Sequence, residues 1–454
     1  MVFLVGLDIS EITSDLGSKA DGEGTERAAG VGAFWAVAAG VTTLAASLAD
    51  EFLAAQRAQI DAQTKFLFAP FIRRRDSGIT NFHESEPSKL LPLVMFDGMK
   101  VGYRFSDDGD LAYRYAICSP PQHLDNGKAV LFLQGKSGFI ELYAPLLKLF
   151  VEMGYTAYME DLVSQGLSAR LAPDMQMIHV PCFDAYYLKQ AQEFYERFVE
   201  SRHKDDLIIV ASSTGAHLAL RGLIAGAFKA SRLVACAPMV MPKSLPMKES
   251  WNGYARFLLA WGGGFVPVGK DMYFPWNLSL KDNGPDRDAR ILLDPATRDA
   301  FLENNKYSRN HQRLVEVAEV LEGVEPRLIS GGVSRPWVLA KYRSEEILWA
   351  GRGSIAPEIR VALAETDRMV CNHATIRFLR SVPEYGVRSR DGTIIVERVP
   401  DLHAFPEFGT LDLLRRLAGF ATLPKEEIGD GQPFFDGVQT HQPYRRAENG
   451  CAPR

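Results

Sequence analysis

The chain has few of the features that mark disulfide-bonded, metal-binding or nucleic-acid-binding proteins. Its 454 residues include five cysteines, an odd number with no Cys-x-x-Cys pair and no metal-ligand spacing, which predicts reduced thiols, a cytoplasmic location and no metal. The 51 basic and 56 acidic residues give a net charge of −5, so no excess of positive charge is available for a nucleic-acid partner. With 46% hydrophobic residues, the composition excludes a mostly disordered chain.

The N-terminal region shows no secretory signal pattern, but it contains a long uncharged run. Residues 1–27 are rich in Gly, Ser, Asp and Glu and predict a loose leader. Residues 28–49 could span a bilayer, which needs about 20 residues, yet most of them are small. The large apolar residues recur at helical spacing, at Phe34, Val37, Val41, Leu44, Leu48 and Phe52. This spacing favours an amphipathic helix packed on the body or on a second copy of the chain. Peripheral membrane contact and a true span are the alternatives.

From about residue 92, short β-rich runs alternate with helical stretches. The runs are residues 101–105, 111–118, 129–133, 155–159, 207–211, 232–236, 359–364 and 393–399. Several, such as 129–133, are apolar on both faces, which is typical of strands in a parallel sheet covered by helices. The first two runs have no helix between them and predict an antiparallel hairpin. The sequence therefore predicts an α/β protein with a mostly parallel eight-stranded sheet.

The alternation stops between residues 241 and 357, which is too long for a simple crossover and predicts a cap or lid. Within it, Trp251, Tyr254 and Trp261 lie at helical spacing and predict either an apolar substrate pocket or the packing of a cap helix. The predicted organisation is a leader with an extra helix (1–91), a core (92–240 and 358–424), a cap (241–357) and a C-terminal arm (425–454).

The most informative segment is the strand at 207–211, which runs directly into a helix through Ala-Ser-Ser-Thr-Gly. This resembles the G-x-S-x-G nucleophile elbow, a tight turn that exposes one side chain, with Ala211 in the first glycine position. The centre of the pattern is Ser213, and Ser212 is then a bystander. The alternative is an ordinary serine-rich helix cap after a strand.

A second loop follows the strand at 129–133 and begins with Gln134-Gly135-Lys136. Acyl transfer needs backbone N–H groups to hold the developing oxyanion, and the amides of Lys136 and Thr214 are predicted to supply them. The alternative is an ordinary turn in which Gly135 only adopts a positive φ.

The partners of a serine nucleophile are expected after later strands, in the order acid and then histidine. Asp367 follows the run at 359–364, and His403 follows the run at 393–399. Asp161, after the run at 155–159, is predicted to have a structural role in bonding loop amides. Because three independent placements agree, the sequence predicts a Ser213–His403–Asp367 triad.

These segments resemble the α/β-hydrolases, specifically the monoacylglycerol-lipase-like serine hydrolases, over about residues 107–420. Residues 134–143 are similar to the family's H-G-x…S-x-x-Y segment, with Gln134 in place of His. Residues 161–168 are similar to its D-x-x-G-x-G-x-S loop, with Ser164 in place of one Gly. Residues 307–310 and 331–337 resemble cap segments of the bacterial lysophospholipase branch. The resemblance implies an α/β-hydrolase fold with a cap after the sixth strand.

The resulting prediction is a serine esterase that needs no cofactor and acts on a small-molecule or lipid ester. The resemblance implies a monoacylglycerol or lysophospholipid as that ester. A small carboxylester, a thioester or an amide is the alternative substrate, and a catalytically silent scaffold is the alternative outside enzymology.

Overall fold

The described residues of the computed structural model form an eight-stranded sheet. They are residues 79–82, 87–172, 175–203, 206–241, 291–330, 332–351, 358–380, 394–428 and 433–440. The strands are β1 Met99–Phe105, β2 Ala112–Cys118, β3 Ala129–Leu133, β4 Thr156–Glu160, β5 Leu207–Ser212, β6 Arg232–Cys236, β7 Glu358–Ala364 and β8 Ile394–Val399. Every strand end lies within two residues of its predicted position.

The order across the sheet is β1-β2-β4-β3-β5-β6-β7-β8. Strand β2 pairs antiparallel with both β1 and β4, and the remaining neighbours pair in parallel. The predicted hairpin and the mostly parallel sheet are therefore confirmed. Because β3, β5, β7 and β8 run in the same direction, the loops that follow them emerge at one edge of the sheet, where the predicted site residues lie.

The doubly apolar runs are explained by two hydrophobic clusters, one on each face of the sheet. In β3, Val130 and Phe132 belong to one cluster, whereas Ala129, Leu131 and Leu133 belong to the other. Successive side chains of a strand point to opposite faces, so a strand that is buried on both sides can be apolar at every position.

Helices cover both faces. They are α1 Leu91–Val94, α2 Ile140–Glu152, α3 Lys189–Phe194, α4 Thr214–Ala225, α5 Pro295–Asn304, α6 His311–Gly323, α7 Arg335–Gly351, α8 Asn372–Arg380, α9 Phe405–Phe408 and α10 Leu411–Thr422. Helices α2 and α10 contribute to the first hydrophobic cluster, and α3 and α4 to the second. Helix α3 continues at both ends into π-helical turns, Asp184–Leu188 and Tyr195–Glu200.

Between β6 and β7, the described part of the predicted cap contains α5, α6 and α7. The apolar stripe from Phe34 to Phe52 and the cap aromatics at 251–261 lie outside the described residues, so both interpretations stay predictions. In the predicted C-terminal arm, Phe435 is buried and its ring centroid lies 5.4 Å from that of Phe420 in α10. In the part of the chain that is described, no helix is long and apolar enough to cross a membrane.

Candidate active site

Ser213 stands alone between β5 and α4 in a strained backbone conformation. Its φ is 49° and its ψ is −108°, a region that residues with a side chain rarely adopt. The strain is held in place from both sides: the Ser213 N–H donates to the Cys236 carbonyl at 2.9 Å, and the Ser213 carbonyl accepts from the Met239 N–H at 3.1 Å. A strained residue that neighbouring strands enforce is typical of functional sites.

Asp367 and His403 reach Ser213 from the loops after β7 and β8. His403 Nε2 lies 2.8 Å from Ser213 Oγ, and His403 Nδ1 lies 2.8 Å from Asp367 Oδ2. The side chain of Asp367 is fully buried, and that of His403 is 6% exposed. The structure therefore brings together the three residues that the sequence placed after three different strands.

The contacts of Asp367 define the proton positions along this chain of hydrogen bonds. Its Oδ1 accepts from the N–H groups of Met369 and Val370, each at 2.8 Å, and so holds the carboxylate still. Since an ionised carboxylate only accepts hydrogen bonds, His403 Nδ1 must carry the proton that faces it. His403 Nε2 is then the acceptor for the Ser213 hydroxyl in the neutral imidazole.

The loop after β3 lies directly beside the serine. A Cβ atom added to Gly135 would be 3.4 Å from Ser213 Cβ and 3.0 Å from Glu407 Oε1, so a side chain there would pack tightly against the glutamate. The alternative that Gly135 only supplies a positive φ is wrong, because the left-handed residue of this loop is Ser137, with φ 68°. Lys136, whose amide was predicted to hold an oxyanion, lies between these two residues.

Thr214, the other predicted donor, is the first residue of α4, where N–H groups have no partner within the helix. Gly215 explains how the start of this helix comes so near β3: a Cβ there would be 2.1 Å from the Leu133 carbonyl oxygen. The second glycine of the elbow pattern is therefore a close-approach position.

Asp161 bonds loop amides, as predicted. Its Oδ1 accepts from the Ile140 N–H and its Oδ2 from the Leu167 N–H, each at 2.9 Å. Arg114 Nε donates to Asp161 Oδ2 at 2.7 Å, while the two terminal nitrogens of Arg114 contact both oxygens of Glu141. Although burial raises the pKa of Glu141, the pair with Arg114 brings it below its usual value. Each charge of this cluster faces an opposite charge.

Sequence reasoning missed a buried carboxyl behind the serine. Glu407 Oε1 accepts from Tyr143 Oη at 2.5 Å and from Ser212 Oγ at 2.8 Å, and the Gly135 N–H donates to Tyr143 Oη at 3.0 Å. Burial raises the pKa of Glu407, even though the two hydroxyl donors lower it. The only available signals were an acid four residues after His403 and a tyrosine in a family motif, and neither predicts their contact.

A second missed residue is Asp401, which joins the histidine turn to the cap. It accepts from the N–H groups of Arg309 and Leu402, each at 2.7 Å, and from the Ser308 hydroxyl at 3.1 Å. Burial raises its pKa to about 6, although these donors lower it. The segment 307–310, which was noted only as a family resemblance, is therefore bonded to the loop that carries His403.

The predicted pocket residues Trp251, Tyr254 and Trp261 lie outside the described residues. Across the described ranges, no group of His, Cys, Asp or Glu side chains has a geometry that could hold a metal ion.

Comparison with protein families matches residues 125–390, more than half of the chain, to Hydrolase_4, described as serine aminopeptidase, S33. The chain is similar in structure to a soluble variant of monoglyceride lipase from Saccharomyces cerevisiae, with 13% identity, a TM-score of 0.47 and coverage of 72% of this chain and 94% of that one. It is also similar to the monoacylglycerol lipase of Paleococcus ferrophilus, with 15% identity, a TM-score of 0.43 and coverage of 67% and 98%. A search of curated proteins finds no significant match.

The matched range contains Ser213 and Asp367 and ends before His403. It confirms the predicted fold class and the prediction of a serine hydrolase. The chain belongs to the serine aminopeptidase S33 family of α/β-hydrolases.

Proposed function

We propose that the protein hydrolyses a carboxylic ester with Ser213 as the nucleophile, His403 as the general base and Asp367 as the acid that orients the imidazole. One observation carries the proposal: two 2.8 Å contacts join the hydroxyl, the imidazole and the carboxylate in one chain of hydrogen bonds. A serine, a base and a third group that orients the base are the arrangement that activates a hydroxyl for attack.

The chemistry follows from this arrangement. His403 Nε2 takes the Ser213 proton as Oγ attacks the ester carbonyl, and Asp367 stabilises the imidazolium that forms. His403 then gives this proton to the departing alcohol, which leaves an acyl group on Ser213. Water, activated by the same imidazole, attacks the acyl group, releases the carboxylic acid and restores the serine.

The oxyanion of each tetrahedral intermediate is held by the amides of Lys136 and Thr214. Two observations support this part of the proposal: Gly135 places the β3 loop against Ser213, and Thr214 is the first residue of a helix that points its N-terminus at the serine. One preorganised donor of this kind contributes about 10²–10³-fold in kcat.

A lipid-like monoacyl ester is the proposed substrate. The similarity of residues 134–143 and 161–168 to monoacylglycerol-lipase motifs supports it, and residues 251–261 are proposed to line the acyl pocket. An amide is the second candidate, because the description of the matched family is a serine aminopeptidase.

The proposal is tested with a fluorophosphonate probe on matched serine variants. Ser213→Ala should abolish both labelling and esterase activity, whereas Ser212→Ala, which changes the adjacent hydroxyl, should keep the labelling. Wild-type protein that is folded and stays unlabelled would contradict the proposal and favour a silent scaffold.

The substrate class is then assigned with a panel of p-nitrophenyl esters of increasing chain length, monoacylglycerols, lysophospholipids and aminoacyl p-nitroanilides. We expect the highest kcat/KM for a monoacyl lipid ester. A preference for the anilides would replace the ester proposal with an aminopeptidase while leaving the roles of the three residues unchanged.

A further inference from the structure

The loop that carries Lys136 is held on both sides by side chains. The Gly135 N–H donates to Tyr143 Oη at 3.0 Å, and the Ser137 N–H donates to Gln165 Oε1 at 2.7 Å. These two N–H groups belong to the peptide units before and after the Gly135–Lys136 peptide, which is the one that carries the Lys136 N–H, and each is fixed by a different partner. Their positions determine where the Lys136 N–H points, because a peptide unit is planar and rigid.

The hydrogen bond to Gln165 offsets the free-energy cost of an unfavourable backbone conformation at Ser137. Ser137 has a φ of 68°, which costs free energy for any residue with a Cβ atom. The short Ser137 N–H contact to Gln165 Oε1 is a specific stabiliser of this conformation. Without it, Ser137 is expected to return toward negative φ and to rotate the preceding peptide, which is the one that joins it to Lys136.

Gln165 is itself fully buried and held at both ends. Its Nε2 donates to Tyr187 Oη at 2.9 Å, and its own backbone N–H donates to the Leu162 carbonyl at 2.9 Å. Because Oε1 faces a donor and Nε2 faces an acceptor, the side-chain amide has one satisfied orientation. A buried amide with fixed partners at both ends is a rigid spacer.

The far end of the spacer contacts the cap stretch. Trp337 Nε1 in α7 donates to the same Tyr187 Oη at 3.2 Å, and the ring of Phe183 packs against both, with its centroid 5.0 Å from that of Tyr187 and 5.3 Å from that of Trp337. Burial raises the pKa of Tyr187, so the hydroxyl keeps its proton. Trp337 ends the 331–337 segment, whose resemblance to a lysophospholipase cap had no assigned role.

We propose that Gln165 is a positioning residue of the oxyanion site, which holds the Lys136 N–H in place through Ser137 and ties it to the cap through Tyr187 and Trp337. The inference rests on the proposed function. Gln165 acts through the loop and does not touch the substrate. Its loss should therefore weaken stabilisation of the transition state more than binding of the ground state.

The test compares Gln165→Leu, which keeps the bulk and removes both hydrogen bonds, with Gln165→Glu, which keeps an acceptor for the Ser137 N–H. For a p-nitrophenyl ester, Gln165→Leu should lower kcat 10- to 100-fold and change KM less than threefold. It should weaken inhibition by a trifluoromethyl ketone, which forms an oxyanion on the serine, by the same factor as kcat. Gln165→Glu should recover part of both losses.

Gln192→Leu, at a partly exposed glutamine whose side-chain amide donates to Glu196 Oε1 at 2.8 Å, is the matched control and should stay within twofold of wild type. If Gln165→Leu does not fold, Tyr187→Phe removes only the hydroxyl and should lower kcat three- to tenfold, again with KM unchanged. Wild-type kcat in a folded variant, or a change confined to KM, would overturn the inference. A failure of the proposed function looks different, because wild-type Ser213 would then not react with fluorophosphonate.

Discussion

Two buried polar networks each begin with an aspartate just after a parallel strand, yet they suit different tasks. Asp161 follows β4 and contacts Arg114 at 2.7 Å, whereas Asp367 follows β7 and contacts His403 at 2.8 Å. A guanidinium stays charged at every accessible pH and cannot pass a proton, whereas an imidazole can accept and release one. The position of an acid after a strand therefore does not identify it as catalytic, and its partner does.

The two networks also differ in their exposure to solvent. The side chains of Arg114, Glu141 and Asp161 are 2%, 2% and 0% exposed, so their cluster is closed. The Asp367–His403 pair ends at Ser213, which is 8% exposed and lies on a turn at the sheet edge. We infer that the first network contributes to stability and the second to chemistry. Two changes test this contrast, and a third tests a buried histidine outside both networks.

The largest effect is expected from Asp367→Asn. An amide would present either an N–H or a single acceptor to His403 Nδ1 and would favour the tautomer in which Nε2 cannot take the serine proton, so kcat should fall about 10⁴-fold. Measuring kcat for ester hydrolysis together with circular dichroism would show lost activity in a folded protein. Glu365→Gln, at a half-exposed acid paired with Arg309 at 3.0 Å, is the control and should stay within a few-fold of wild type. A large loss of kcat in Glu365→Gln with little loss in Asp367→Asn would mean that Glu365, and not Asp367, is the catalytic acid.

The next effect is on stability. Arg114→Met leaves Glu141 and Asp161 buried without their cation, so the free energy of unfolding in urea should fall by about 3–5 kcal/mol. Lys148→Met removes an exposed cation whose Nζ lies 3.8 Å from Glu152, and it should cost at most about 1 kcal/mol. Esterase activity per fluorophosphonate-labelled site should remain near wild type in both variants. A large loss per labelled site in Arg114→Met would mean that the two networks are not separate.

The smallest effect concerns a buried histidine whose ring nitrogens contact a carbonyl and a hydroxyl group. His217 in α4 contacts the Met239 carbonyl at 3.1 Å and Ser344 Oγ at 2.7 Å, and burial, together with Lys341 and Arg221, lowers its pKa to about 3. The unfolded chain has a histidine pKa of about 6.5, so it binds the proton first. The stability that His217 contributes is present above pH 6.5 and is lost as the pH falls toward 3.

Urea titrations at several pH values between 6.5 and 4 would measure this loss. One such histidine contributes at most about 1.4 kcal/mol per pH unit to the slope of the unfolding free energy. His217→Gln keeps hydrogen-bonding capacity without this titration, so its slope should be shallower than that of wild type. Parallel slopes would mean that His217 is protonated in the folded protein as readily as in the unfolded chain.

Much of the fold could be predicted because its signals are local. A run such as 129–133, apolar at every position, is explained by a strand with a hydrophobic cluster on each face. The elbow was recognisable because the chain needs small residues where α4 meets β3, as Gly215 shows. By contrast, nothing local signals that Glu407 contacts Tyr143, since 264 residues separate them.

The conformation of the β3 loop was the point at which local reasoning failed. The alternative to an oxyanion loop was a turn in which Gly135 only adopts a positive φ, but Gly135 is not among the positive-φ residues, and it lies close to Ser213 and Glu407. Ser137 adopts the positive φ without being a glycine, since Gln165 supplies a hydrogen bond from another loop. Such a compensation depends on a contact between distant residues and leaves no mark in the surrounding sequence.

The sequence by itself determined the strands, their order of occurrence and the placement of Ser213, Asp367 and His403 after three of them, because hydrophobic periodicity and turn residues act over a few positions. Only the tertiary structure decided that Asp161 faces an arginine, that Glu407 contacts Tyr143, and that Arg309 and Trp337 of the cap bond to Asp401 and Tyr187. Those choices depend on side chains that meet across the fold, and burial makes each unsatisfied polar group costly enough to select its partner.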